Sequence, residues 1–167
     1  MKTLDICGDN RFKTYTKIRE SCRGIVIRDN EILLSYETNT DTYNIPGGGL
    51  EHNESFEECC SREVAEETGF KVEVINKYFL TNEYYEDWLF ISHYYICKCV
   101  GTTARKLSPR EIKVGMEPRW VPLQDAIEIF SKHQNYAASD EEKRGIYLRE
   151  YNVLQSFANK MYQRFNL

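Results

Sequence analysis

The sequence has no apolar run that approaches the length of a membrane span, and its first twenty residues are too polar for the core of a signal peptide. Its six cysteines include no Cys-x-x-Cys pair, which argues against a zinc site. We therefore expect a reduced, cytoplasmic protein with no membrane partner, in which most cysteines are small buried hydrophobic side chains.

The sequence also lacks an excess of positive charge. It has 22 lysines and arginines against 26 aspartates and glutamates, and its formal net charge is −4. With no obvious basic patch, it is not expected to bind nucleic acid in general. The same negative charge would repel an anionic substrate unless a cation lay between the two.

What the sequence does contain is enough apolar material for one folded domain, since 41% of its 167 residues are hydrophobic and 13% are aromatic. Strand and helix patterns alternate along it, which predicts an α/β fold with a mixed sheet covered by helices. The predicted elements are a hairpin over residues 23–37 with its turn at Asp29–Asn30, a helix over 56–68, two short strands with sequences KVEVI and KYFLTN, a strand over 88–100, a polar loop, a short strand at 119–121, and helices over about 123–132 and 140–164.

The most unusual segment is the helix predicted over residues 56–68, because seven glutamates lie between Pro46 and Phe70. Ser55 and Glu58 have the spacing of a capping box at its start, and Gly69 fits the left-handed residue that ends a helix. On a helical wheel, the three glutamates of its second half point in the same direction as the apolar residues of its first half, namely Glu63, Glu66 and Glu67 with Phe56, Cys59 and Cys60. Glu57 and Glu58 point away and are expected to be solvated.

Three carboxylates that face inward would repel one another unless a cation neutralised them. Oxygen ligands suit a hard cation, so the pattern predicts Mg²⁺, with Mn²⁺ as a substitute. The glycine triplet at residues 47–49 would let the backbone approach the ion or a phosphate, because glycine has no Cβ.

These residues also resemble a known motif. Their order is Gly48, five residues, Glu54, seven residues, Arg62–Glu63–Val64, one residue, Glu66–Glu67, one residue, and Gly69–Phe70. This order resembles the Nudix box at each fixed position, with Phe70 a mild departure from the bulky aliphatic residue found there. The resemblance implies a single Nudix domain over residues 1–167 with an α/β/α sandwich fold, a core at about 18–132 and an additional C-terminal helix at about 138–164.

The resemblance also implies an activity, the Mg²⁺- or Mn²⁺-dependent hydrolysis of a pyrophosphate bond in a nucleoside diphosphate linked to another group. In this family the metal ions activate a water for in-line attack on phosphorus. Position by position, it implies that Glu63 and Glu67 are the principal metal ligands, that Glu66 is a further one, and that the carbonyl of Gly48 joins them. Arg62 and Glu54 correspond to a supporting pair.

Two details remain open from the sequence. The general base is not fixed by the resemblance, and the candidates are Glu66 inside the box and Glu111 or Glu117 outside it. Asn53 stands where the family commonly has glycine, and asparagine is the next best residue for a positive φ.

The substrate must be inferred from residues outside the box. Tyr84, Tyr85, Trp88 and Phe90 are candidates for stacking on a base, although core packing is at least as good an interpretation. A proline that marks some ADP-ribose hydrolases is missing. We therefore expect a small-molecule nucleotide substrate, a nucleoside triphosphate or a dinucleoside polyphosphate. The alternatives are ADP-ribose or a nucleotide sugar, and a Nudix ligand sensor without turnover. A homodimer is left open.

Overall fold

The computed structural model describes residues 2–165, in which eight strands and four α-helices alternate. The strands are β1 (Lys2–Cys7), β2 (Lys17–Arg28), β3 (Glu31–Glu37), β4 (Thr42–Asn44), β5 (Gly47–Gly49), β6 (Phe70–Tyr85), β7 (Trp88–Thr102) and β8 (Met116–Pro122). The helices are α1 (Phe56–Thr68), α2 (Pro109–Lys113), α3 (Leu123–Ser131) and α4 (Glu141–Phe165), and a 3₁₀-helix (Lys132–Tyr136) follows α3.

The strands form one mixed sheet in the order β1-β6-β7-β2-β3-β4, with β5 paired to β2 and β8 paired to β3. β2 runs parallel to β7, and β1 runs parallel to β6. The remaining pairs are antiparallel. β2 is therefore the central strand, because it contacts the long β6–β7 hairpin on one side and the glycine strand β5 on the other.

Alternation along β2 separates two hydrophobic cores, because successive side chains of a strand point to opposite faces. Val26 belongs to the core beneath α1, whereas Ile25 belongs to the core beneath α3 and α4. Helices thus cover both faces of the sheet, and the predicted α/β/α arrangement is confirmed.

Local signals predicted the central elements well. α1 begins after Ser55, whose hydroxyl accepts from the backbone N–H of Glu58 while the Glu58 carboxylate accepts from the N–H of Ser55, and it ends at Gly69 with φ 76°. The hairpin turn lies at Asp29 and Asn30, both with positive φ. The bounds predicted for α1 and for this hairpin turn are confirmed.

Other elements differ from the prediction. The two predicted short strands are one continuous strand, β6, whose pairing with β7 is interrupted by three register shifts. The shifts explain why the apolar pattern looked broken. The predicted polar loop contains α2, which has its own capping box at Ser108 and Glu111. β1, β4 and β5 are not among the predicted elements, since β4 and β5 have only three residues and β1 is short and mostly exposed.

The cysteines are free, and four of them are buried, namely Cys22, Cys59, Cys60 and Cys97. They pack with Val26 and Val64 in the core beneath α1. In the described part of the chain, residues 2–165, no helix is long and apolar enough to cross a membrane.

Candidate active site

A cavity of about 750 Å³ lies on the face of the sheet that α4 covers. Its floor consists of side chains from three neighbouring strands, β2, β7 and β6, because residues at matching positions point to the same face. Its walls come from β5, α1, α2 and the first turns of α4. Glu67 is the residue of α1 that lines it.

Glu67 is a buried carboxylate at the wall of this cavity, with 6% of its surface exposed. It accepts a hydrogen bond of 2.6 Å from the hydroxyl of Ser35 on β3 and one of 3.2 Å from the backbone N–H of Gly47. Burial raises the pKa of Glu67 to about 8, although the Ser35 hydrogen bond and the nearby charge of Arg23 oppose this rise. A buried carboxyl of this kind gains most from a bound cation.

Glu63 lies one turn before Glu67 and beside the glycine strand. A Cβ on Gly48 would lie 2.4 Å from its carboxylate, so with any other residue the Glu63 carboxylate would have to move away. Burial raises the pKa of Glu63, while Arg62 opposes the rise. Glu66 is more exposed, and its carboxylate lies 3.5 Å from the amine of Lys106.

Arg62 and Glu54 form the predicted pair. The guanidinium donates to both carboxylate oxygens of Glu54, at 2.9 and 2.7 Å, and to the carbonyl of Gly49 at 3.1 Å. This bidentate contact lowers the pKa of Glu54 to about 2. Arg62 also contacts Glu63 at 2.8 Å and Glu66 at 3.3 Å, so it ties the loop to the acidic helix.

In residues 2–165, no three His, Cys, Asp or Glu side chains converge closely enough to hold a metal ion. Glu63 and Glu66 are instead turned toward Arg62, and Glu67 toward Ser35. The donor set still fits a hard cation, since the desolvated Glu67, the carboxylate of Glu63 and the backbone at Gly48 offer only oxygen ligands within one small region.

The two candidate bases outside the box lie in different places. Glu111 on α2 lines the cavity, and its charge contributes to the raised pKa of Glu63. Glu117 on β8 is paired with Arg119 at 2.7 Å and does not line the cavity.

The aromatic residues that are candidates for stacking on a base also lie in different places relative to the cavity. Tyr85 lines the cavity, together with Phe90, whereas Tyr84 faces the other side of β6 and is buried near Tyr15. Trp88 stacks on Phe90 with ring centroids 5.6 Å apart, but is not itself a lining residue.

The absence of a basic patch stays a prediction, because seven acidic side chains line this cavity together with basic ones. Five basic side chains line it: Arg19, Arg23, Arg110, Lys143 and Arg149. They form no cluster in the sequence because they are spread over 131 positions, and all but Lys143 are flanked by acidic or apolar residues. The signal at Arg23 is a charged residue directly before the apolar run at residues 24–27 of β2.

Glu37 and Glu83 are buried acids that line the cavity, and the sequence patterns did not indicate either of them. Glu37 at the end of β3 is 5% exposed and accepts from Arg110 at 3.2 Å, which attaches α2 to the sheet. Arg149 on α4 bridges Glu83 on β6 and Glu150, with contacts of 2.8 Å to each. α4 is therefore fixed to the sheet by buried charges as well as by apolar packing.

The fold and site together define a class, an α/β/α domain whose acidic helix and glycine strand border a cavity lined by side chains of both charges. A family model described as "NUDIX domain" matches residues 19–142. Over 75 residues the chain is 41% identical to the NAD-capped RNA hydrolase NudC of Vibrio atlanticus, a match that spans 44% of this chain and 28% of that protein.

Solved structures show the same fold. A NUDIX hydrolase from Nitrosomonas europaea superposes with a TM-score of 0.59 at 19% identity, covering 81% of this chain and 89% of that one. The E. coli ORF135 protein superposes with a TM-score of 0.60 at 18% identity, covering 89% and 94%. Because the family model covers well over half of the sequence, this chain belongs to the Nudix family. Nudix enzymes generally use divalent metal ions.

Proposed function

We propose that this protein hydrolyses a pyrophosphate bond in a nucleoside diphosphate linked to another group, with Mg²⁺ as its metal and Mn²⁺ as a substitute. The observation that carries the proposal is the buried Glu67, held beside Glu63 and the glycine strand at the wall of a cavity that arginines line. Glu63, Glu67 and the carbonyl of Gly48 would hold the metal, with Glu66 as a further ligand.

The bound metal would neutralise the diphosphate oxygens and lower the pKa of a bound water. The chain's own groups support this chemistry. Arg62 and Glu54 fix the loop against the acidic helix through their bidentate pair. Ser35 and the N–H of Gly47 hold the carboxylate of Glu67 in one orientation.

Arg23 is a phosphate-binding residue in this proposal. It lines the cavity, its charge acts on Glu67, and its Nε is buried without a hydrogen-bond partner among the described residues. Its Nη1 donates to the carbonyl of Ile45 at 3.0 Å, which fixes the side chain. An arginine held in this way suits a phosphate oxygen.

Glu111 is the candidate general base that the cavity supports best. It lines the cavity and acts electrostatically on Glu63, whereas the ion pair of Glu117 with Arg119 lies outside. One oxygen of Glu111 caps α2 by accepting from the N–H of Ser108 at 2.7 Å, which positions the carboxylate.

The substrate proposed is a compact nucleotide, a nucleoside triphosphate or a dinucleoside polyphosphate. The cavity of about 750 Å³ is of the size that accommodates a single small ligand. NudC, a relative over part of its length, is an NAD-capped RNA hydrolase, so NAD and NAD-capped RNA belong among the alternatives tested.

The test is a comparison of kcat/KM across a substrate panel with Mg²⁺ and with a chelator. The panel contains nucleoside triphosphates, dinucleoside polyphosphates, ADP-ribose, nucleotide sugars, NAD and NAD-capped RNA, with nucleoside monophosphates as inert controls. We expect Mg²⁺-dependent cleavage of the first two classes with the highest kcat/KM. A lead for RNA or ADP-ribose would overturn the substrate ranking, and no cleavage of any member would overturn the activity.

A further inference from the structure

An aromatic ring and a carboxylate lie side by side on the cavity floor, on two adjacent strands. Phe90 on β7 lies directly opposite Glu83 on β6 in the antiparallel register, and both line the cavity. Side chains that are directly opposed have Cβ atoms about 5 Å apart. A planar base that lies against Phe90 would therefore bring one of its edges beside the carboxylate of Glu83.

Glu83 is held in place with part of its hydrogen-bonding capacity unused. It is 3% exposed, and its Oε1 accepts from Nη1 of Arg149 at 2.8 Å. Arg149 is itself held by Glu150, which also accepts from the hydroxyl of Tyr94 at 3.0 Å. Among the side chains that the structure describes, Arg149 is the donor to Glu83, and it contacts Oε1 and not the other oxygen. A carboxylate oxygen that lines a cavity and has no donor is a natural acceptor for a ligand.

The charges of the floor determine which end of a nucleotide would face Glu83. Arg19 and Arg23 lie on β2 beside the glycine strand, and the guanidinium of Arg19 comes within 3.5 Å of the Cβ position of Gly49. Glu83 lies two strands away, a distance of about 10 Å. Phosphates would be attracted to Arg19 and Arg23, whereas the arginine beside Glu83, Arg149, is already paired with Glu83 and Glu150. The base is therefore the part of the ligand at Glu83.

We propose that Glu83, positioned by Arg149, is a specificity-determining residue that selects guanine. A carboxylate only accepts hydrogen bonds, and guanine offers adjacent donors at its ring N1–H and its 2-amino group. Adenine and cytosine place a ring acceptor next to their amino group, and uracil flanks its single N–H with two carbonyls. This inference deepens the proposed function and rests on it for the placement of the phosphates.

The test uses equilibrium binding of products, so that its result does not depend on turnover. GMP, IMP, AMP and UMP are titrated calorimetrically into the wild-type protein in a chelator. We expect GMP to bind about tenfold more tightly than AMP, since a bidentate contact to a base discriminates by about 5- to 150-fold. IMP, which lacks the 2-amino group, is expected between them.

Variants then separate recognition from folding. Glu83→Gln should bring the GMP and AMP affinities toward equality, whereas Glu73→Gln, an exposed position on the same strand, should keep the wild-type ratio. Arg149→Lys should also reduce the ratio, because lysine cannot bridge Glu83 and Glu150 in the same geometry. Phe90→Leu should weaken all four nucleotides while the ratio of GMP to AMP remains high.

Equal binding of GMP and AMP by the wild-type protein would overturn the proposal without any variant. A wild-type ratio in folded Glu83→Gln would also overturn it. Because binding is measured without metal, a guanine preference in a protein that cleaves no nucleotide would uphold this subsite and count against the proposed hydrolysis alone.

Discussion

Two helices border the same cavity from different positions in the sequence, and they are specified in different ways. In α1 the decisive residues are neighbours along the chain: Glu63 and Glu67 are one turn apart, and Arg62 reaches both Glu63 and Glu54. In α4 the decisive residue, Arg149, contacts Glu83, which is 66 positions away.

The two helices also differ in whether their buried charged residues have an ion-pair partner. The carboxyl of Glu67 is desolvated with a raised pKa and has no ion-pair partner within salt-bridge distance in the described residues. Arg149 is equally buried but paired with two carboxylates. The unpaired carboxyl of Glu67 on α1 is suited to a ligand. The paired charges around Arg149 on α4 serve mostly to hold the helix against the sheet. α1 should therefore be sensitive in activity, and α4 in stability.

The largest expected effect is on activity. Glu67→Gln removes a ligand charge while it keeps the shape and an acceptor oxygen for Ser35, so kcat should fall by about 10³ or more with the fold retained. Product release at saturating Mg²⁺ measures this. Glu57→Gln, on the exposed side of the same helix, is the matched control and should be close to wild type. Wild-type turnover in Glu67→Gln would remove this residue from the site.

The opposite behaviour is expected at α4. Arg149→Met would leave Glu83 and Glu150 buried without their shared partner, so the free energy of unfolding should fall by about 3–5 kcal/mol. Lys132→Met breaks the exposed pair with Glu128 and should cost less than about 1 kcal/mol. Urea denaturation of both variants checks the difference. Equal stability would mean that the buried cluster does not hold α4.

The contrast between local contacts in α1 and long-range contacts in α4 also determines which features could be predicted from the sequence. The ends of α1 follow from Ser55, Glu58 and Gly69, which act within a few residues. The cavity could not be predicted, because Arg23, Phe90 and Glu83 meet only through the parallel pairing of β2 with β7 and the register of β7 with β6. Long-range register depends on packing that single-sequence patterns do not encode. The short helix α2 is not predicted for a different reason, since its five residues are too few to show a helical period within a polar segment.

A smaller effect should appear in the pH dependence of stability. The pKa of Glu67 is raised from 4.5 to about 8 in the folded protein, so between these values the folded state binds more protons than the unfolded state. The stabilising contribution is complete below about pH 4.5 and is lost as the pH rises through about 8. In a chelator, wild type should lose up to a few kcal/mol relative to Glu67→Gln over this range.

Thermal melts of both proteins at pH 5 and pH 8 measure this loss, and added Mg²⁺ should reduce it by favouring the ionised carboxylate. Parallel melting temperatures of the two proteins at both pH values, without metal, would show that Glu67 is not desolvated as described.

The smallest effect is expected in the loop before α1. Asn53 has φ 69°, a left-handed conformation that asparagine tolerates and glycine adopts freely. Asn53→Gly should be nearly silent, whereas Asn53→Val should cost about 1–3 kcal/mol, because a β-branched residue is strained there. Melting temperature and kcat should fall together in the valine variant. If both variants melt alike, this backbone conformation does not matter to the loop.

The central claim, that the acidic face of α1 binds the catalytic metal, is tested most directly by titrating Mn²⁺ into the protein and following free Mn²⁺ by electron paramagnetic resonance. Wild type and Glu57→Gln should bind Mn²⁺ with the same affinity, and Glu67→Gln should bind at least about tenfold more weakly. Identical Mn²⁺ affinity in all three proteins would contradict the claim and place the metal elsewhere.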